Sequence, residues 1–140
     1  MSAPMRYVQF GIGGESYAIP IQEVSEIIRV QEVTAIPAGR DDMIGVIELR
    51  ERVVPVISLR KSFGLPDVPP MKQARIVVVR RGMEHIGIIV DCVYKIANVS
   101  GITASPERFG RRNGHYLNGM CLTDMGMVAL LDVDRLLLHG

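Results

Sequence analysis

Three histidines, two cysteines and a scatter of acids are the residues here that could carry catalysis or hold a metal. His85, His115 and His139 lie far apart, and none has the spacing of a metal-ligand set. Asp124 falls in a predicted turn and Asp132 beside a strand end, neither with an acid partner for general acid–base work. No GxSxG, HExxH or P-loop pattern occurs. The cluster Gly11-Ile12-Gly13-Gly14 reads as a hairpin turn rather than a phosphate cradle, because no helix follows it directly. Cys92 and Cys121 sit in apolar stretches without CxxC spacing and read as reduced core residues of a cytosolic protein. Catalysis needs convergent polar groups, and here the polar residues alternate outward along strands. The expectation is a protein with no catalytic residues, no metal and no cofactor.

Composition narrows the remaining classes. The chain has 140 residues, a formal net charge of +1, no Trp and 5% aromatics. That length suits one domain with a core of its own. Interleaved acids and bases leave no basic footprint for nucleic acid, and the few aromatics supply no stacking platform. The stretch Met1–Arg6 lacks the apolar core of a signal peptide, and no apolar run approaches spanning length, so no membrane insertion is expected.

The elements that must position any site repeat themselves. Ala18–Ile27 echoes Gly87–Ile96, with Ile19/Ile88, Val24/Val93 and Ile27/Ile96 coinciding. Gly45–Arg60 then echoes Gly119–Asp134, in the same order. Two copies of one β-rich unit, packed together in one domain, account for both echoes, and the seam between them is a natural place for a partner. Alternation predicts strands over Tyr7–Ile12 and Ser16–Ile19 about a Gly13-Gly14 turn. Pro20 is expected to open an amphipathic helix with Ile21, Val24, Ile27 and Ile28 on one face. Met43–Leu49 and Val53–Ile57 form a hairpin turning near Arg50-Glu51, with Pro55 marking an edge or a bulge. A helical turn over Leu59–Phe63 stops at Gly64, and the proline-rich Gly64–Gln73 is expected to join the two halves. Arg75–Arg80 and Glu84–Asp91 make another hairpin, and Val93–Val99 reads equally as strand or short helix. Ser105–Gly114 reads as a polar loop. Tyr116–Leu122 and Met127–Leu131 form the last hairpin, before a helix over Asp132–His139. Many short strands between regular turns point to a barrel or a sandwich.

Several stretches resemble one family. Ile44-Gly45-Val46-Ile47-Glu48-Leu49-Arg50-Glu51-Arg52-Val53-Val54-Pro55-Val56-Ile57-Ser58-Leu59-Arg60 is similar to the pattern I-x-G-x-x-N-L-R-G-x-x-x-P-V-I-D-L-R of CheW-like coupling proteins. Tyr17–Ile27 resembles their Y-G-I-x-I-x-x-V-x-E-I, Gly87–Val93 their G-I-V-V-D-x-V, and Tyr116–Gly119 their Y-L-x-G. The likeness runs from about Tyr7 to Leu138. It implies a mainly β fold of two side-by-side five-stranded SH3-like β-barrels with a few short helices. It implies a non-catalytic cytoplasmic adaptor, recruited to receptor arrays, that joins the tips of chemoreceptors to the regulatory domain of a CheA-type histidine kinase. A related adaptor of a non-flagellar system, such as pilus-based movement, is one alternative; a small-ligand or nucleic-acid-binding β-barrel is another, which the near-neutral charge and sparse aromatics count against. Where the family has N-L-R-G and D-L-R, this chain has Glu48-Leu49-Arg50-Glu51 and Ser58-Leu59-Arg60. Glu51 replaces a glycine suited to positive φ, so the turn is either strained or of another type.

The resemblance also marks positions. Val24, Val93 and Ile96 match positions associated with a hydrophobic receptor groove, although equivalent apolar positions in two copies also suit a core. Gly45 and Arg50 match positions tied to coupling; a close-packed strand glycine and a solvated turn charge are the plainer alternatives. Glu26 matches the acid of the family motif, or is ordinary surface. Glu26 and Arg50 are expected to approach one another and form an ion pair near the partner face.

Overall fold

The computed structural model describes residues 5–37, 39–66, 68–99, 116–123 and 126–138. Its strands are β1 Met5–Ile12, β2 Glu15–Pro20, β3 Val24–Arg29, β4 Met43–Leu49, β5 Arg52–Ser58, β6 Arg75–Arg81, β7 Glu84–Val90, β8 Cys92–Val99, β9 Leu117–Thr123 and β10 Gly126–Leu131. Two short helices, α1 Leu59–Ser62 and α2 Val133–Leu138, each follow the last strand of a unit. The strands form two five-stranded sheets, ordered β8-β1-β2-β10-β9 and β3-β6-β7-β5-β4.

This order explains the internal echo. With β1–β5 matched to β6–β10, strands 1 and 2 of each copy pair with strands 3, 4 and 5 of the other. β3 lies antiparallel to β6 as β8 lies antiparallel to β1, and the parallel pairs β2–β10 and β5–β7 correspond. Each copy therefore starts in one sheet and ends in the other. The crossings are the 3-10 turn Ile21–Glu23 and the bend at Asp91. Gly64–Gln73 joins the two copies as expected, running from α1 at the end of the first to β6 at the start of the second, with both ends in the second sheet.

One expectation changes and one open reading is settled. The helix after Pro20 is a three-residue turn, followed by strand β3 with strict burial alternation. Val24, Ile27 and Ile28 are β-branched and pack well on a pleated surface, and pairing with β6 outweighs the helical spacing. The ambiguous Val93–Val99 stretch is strand, paired with β1. Pro55 lies in an interior strand, yet the β5–β7 ladder covers only Val56–Ser58, so at Pro55 the strand is paired on one side alone. The expected loop Ser105–Gly114 lies outside the described residues, as do His115, His139 and Asp124.

Three apolar layers hold the sheets. The central one, between them, contains Phe10, Ile12, Tyr17 and Ile19 from the first sheet and Val77, Val79, Ile88 and Val90 from the second. Ile76 and Val78 point the other way, into a core with Ile47, Val54 and Val56, and Tyr7, Ala18 and Cys121 belong to the opposite core. β6 is thus buried on both faces, which is why Ile76-Val77-Val78-Val79 shows no polar alternation. Each such side chain contributes about 1.5–3 kcal/mol when fully buried. Four aromatics cross the seam as a row: Phe10 to Tyr17 at 6.0 Å, Tyr17 to Phe63 at 5.1 Å and Phe63 to Tyr116 at 6.1 Å between ring centroids. They are packing groups rather than a ligand shelf.

Candidate functional site

Glu26 and Arg50 meet on the second sheet. Glu26 lies on β3 opposite Val78, and Arg50 projects from the β4–β5 turn. Arg50 Nε donates to Glu26 Oε2 at 2.9 Å and Nη2 to Oε1 at 3.3 Å, a forked contact that suits a planar guanidinium. The side chain of Arg50 remains 75% exposed, so its other donors stay available to a partner. Hydrogen bonding from Arg50 outweighs partial burial and, with the guanidinium charge and nearby His85, holds the Glu26 carboxyl below its ordinary range. The turn carrying Arg50 is tight. Leu49 pairs with Arg52, and Arg50 and Glu51 both take positive φ, 52° and 64°. Two left-handed residues in a two-residue hairpin are the signature of a type I′ turn, which favours Asn-Gly. Arg50-Glu51 adopts it with strain, so the missing glycine has not changed the turn.

Gly45 is buried on β4. A Cβ there would collide with the carbonyl oxygen of Thr34, which accepts from Val46 N at 2.9 Å in a bridge between the strand and the preceding segment. The glycine is required by that close approach, one of the two readings open at this position.

The three groove positions separate by exposure. Val24 and Val93 are half-buried and pack against the central core, each just after a crossing. Ile96 is 49% exposed on β8, beside Leu122 at 72%, over a shallow depression shared with Lys95 and Thr123.

Sequence reasoning missed the charges that pin the crossings. At the second, Arg60 of α1 donates twice to Asp91, at 2.9 and 2.8 Å, and Asp91 also accepts from Gly13 N at 2.9 Å. At the first, Arg81 pairs with Glu23 at 3.5 Å and with Asp134 of α2. Arg60 and Asp134 are matched positions of the repeat, so both crossings are tied by a helix residue, a crossing acid and the opposite hairpin turn. The helix residues differ in sign, and the hairpin member is a side chain at one crossing and a backbone N–H at the other, which hid the correspondence. A third cluster links the units: Arg40 binds Asp42 at 2.6 and 2.8 Å and donates to the Leu136 and Leu137 carbonyls at the end of α2.

A groove of about 740 Å³ between the first halves of β5 and β7 also went unmarked, because residues such as Arg52, Val53, Met83 and His85 are individually ordinary. Among the described residues no group of three or more His, Cys, Asp or Glu is arranged to hold a metal ion, and no helix is long and apolar enough to cross a membrane.

The family model of the CheW-like domain matches residues 6–139. This chain belongs to the CheW-like family. It is 31% identical over 135 residues to the chemotaxis protein CheW of Helicobacter pylori, covering 95% of this chain and 81% of that protein. It is 32% identical over 133 residues to the chemotaxis protein CheW of Klebsiella aerogenes, covering 94% and 80%. The crystal structure of the scaffolding protein TtCheW from Thermoanaerobacter tengcongensis superposes with a TM-score of 0.83 at 28% identity, covering 92% of this chain and 89% of that one. The mainly β, two-unit architecture expected from the CheW-like resemblance is the one observed.

Proposed function

We infer that this chain is a cytoplasmic, non-catalytic adaptor that couples chemoreceptors to a CheA-type histidine kinase. The observation that carries the reading is the Glu26–Arg50 pair. Two positions marked by the family motif, 24 residues apart, meet on an exposed face with donors to spare. Glu26, Gly45 and Arg50 form the coupling face, with Gly45 acting through the strand that bears the turn. Val24, Val93 and Ile96 line the receptor side, where an amphipathic helix from a receptor tip would lay its apolar face. Membership of the CheW-like family supports the same assignment.

The test is binding to purified kinase regulatory domain and to a receptor cytoplasmic fragment. The protein is expected to bind both. Arg50→Glu should weaken at least one partner about ten-fold or more with an unchanged melting temperature. Failure to bind either partner would overturn the reading.

A further inference from the structure

The groove between β5 and β7 is an opening in the second sheet, and Pro55 makes it. The parallel ladder runs through Val56↔Gly87, Ile57↔Ile88 and Ser58↔Ile89 and then stops. The next donor on that edge of β5 would be the N–H of residue 55, aimed at the His85 carbonyl, and proline has none. Beyond it Arg52–Pro55 and Glu84–Ile86 are not paired with one another, and the groove lies between them. The hairpin registers fix what they leave open. Leu49↔Arg52 closes one two-residue turn, so the next pair, Glu48↔Val53, is not hydrogen-bonded and the Val53 N–H and C=O point away from β4. Arg81↔Glu84 closes the other turn, so by the same alternation the backbone of His85 points away from β6. Two strand edges thus face each other across the gap with their hydrogen-bonding groups turned inward.

The lining has a definite chemistry. Met43, Pro55, Ile86 and Leu137 make an apolar floor, with Val53 71% and Met83 94% exposed at the rim. Glu84 puts an exposed carboxylate at the turn end of the lining, and Arg40 and Arg81 are already ion-paired. Arg52 is not: among the described residues its guanidinium contacts only the imidazole of His85, with Nη1 2.7 Å from Nδ1, and no carboxylate lies within ion-pairing distance. A carboxylate is a stronger acceptor for that guanidinium than an imidazole.

The geometry points to this groove as a docking site for an extended acidic segment of a partner protein, one that pairs with Val53 and His85 through its backbone and with Arg52 through a carboxylate. Strand edges recognise extended chain through the backbone, and alternate side chains supply the fit. Apolar residues at every second position would meet the floor. This surface is distinct from the receptor side at Val24, Val93 and Ile96, and does not depend on which protein binds there.

The probe is a six-residue capped peptide alternating glutamate and valine, titrated into isotopically labelled full-length protein and followed by amide chemical shifts. Saturable shifts are expected at Val53, His85 and Ile86. Binding should weaken about ten-fold with Val53→Glu, whose exposure spares the fold, and when ionic strength rises about ten-fold. Met83→Glu gives the same comparison should the first variant lose structure. The matched lysine–valine peptide should not bind. Shifts elsewhere, no shifts, or equal binding of the two peptides would overturn the proposal. So would concentration-dependent dimerisation abolished by Val53→Glu, which would assign the groove to a second copy of the chain.

Discussion

At the scale of single residues, the backbone decides more than the side chains do. Gly45 faces a carbonyl oxygen that belongs to a paired backbone and cannot swing aside. Gly45→Ala should therefore break the Thr34–Val46 bridge and cost about 1–3 kcal/mol, read as a lower urea midpoint with an unchanged slope. Any loss of coupling in that variant would be a stability effect, which separates Gly45 from Arg50. Arg50 and Glu51 illustrate the opposite case, since their positive φ values are unfavourable for side chains that carry Cβ. Glu51→Gly should stabilise the protein by roughly 0.5–1 kcal/mol, because relief of left-handed strain exceeds the added chain entropy at such a turn. The melting temperature checks it, and a fall would mean that the Glu51 side chain makes compensating contacts. For the Glu26–Arg50 pair, a double-mutant cycle read out by partner binding should show coupling; additive effects would reduce it to surface decoration.

At the scale of elements, the hairpins were legible and the crossings were not. Gly13-Gly14, the Arg50-Glu51 turn and the β6–β7 turn each stand between alternating runs, and local chemistry suffices to place them. Residues Ile21–Arg29 carry apolar spacing compatible with both periods, and only the partner strand β6 resolves it. The expected Glu26–Arg50 approach holds although β3 and β4 are opposite edges of the second sheet, because the segment after β3 bridges to β4 at Thr34–Val46 and brings the edges together, whereas Val24, Val93 and Ile96 spread between core and surface. That spread makes a test. Ile96→Asp is exposed and should change stability by no more than about 0.5 kcal/mol, while Val93→Asp should cost about 1–3 kcal/mol because it places a carboxylate against the central core. If both weaken receptor binding, the apolar face of β8 is the docking surface. If only Val93→Asp does, and its loss tracks unfolding, Val93 is core and the groove lies elsewhere.

At the scale of the molecule, each sheet is built from strands of both copies, so its stability resides in the crossings and the layer between the sheets. The three ionic clusters there titrate, and their signs can be followed. Burial pushes the Asp91 carboxyl up, but hydrogen bonds from Arg60 and Gly13 and the charge of Arg60 outweigh it, leaving Asp91 below its ordinary value. Burial likewise pushes Asp42 up, and Arg40 and Ser62 together bring it below. A carboxylate lowered on folding contributes stability that is present above its unfolded value, near pH 4, and is lost as pH falls through the folded value. Glu23 runs the other way: burial raises it more than Arg81 lowers it, so its protonation relieves a cost as pH falls. Two lowered acids against one raised acid predict a net loss of stability on acidification below about pH 4. Because Asp91 is partly solvated, it contributes only about 1 kcal/mol after screening, whereas Asp42 is buried. Asp91→Asn and Asp42→Asn should each lower the urea midpoint at pH 7 and flatten its fall between about pH 4 and pH 2, and the double variant should be flattest. Midpoints that fall just as steeply in the double variant would place acid sensitivity outside the crossings. The two-sheet exchange would then rest on the apolar layer and the aromatic row alone.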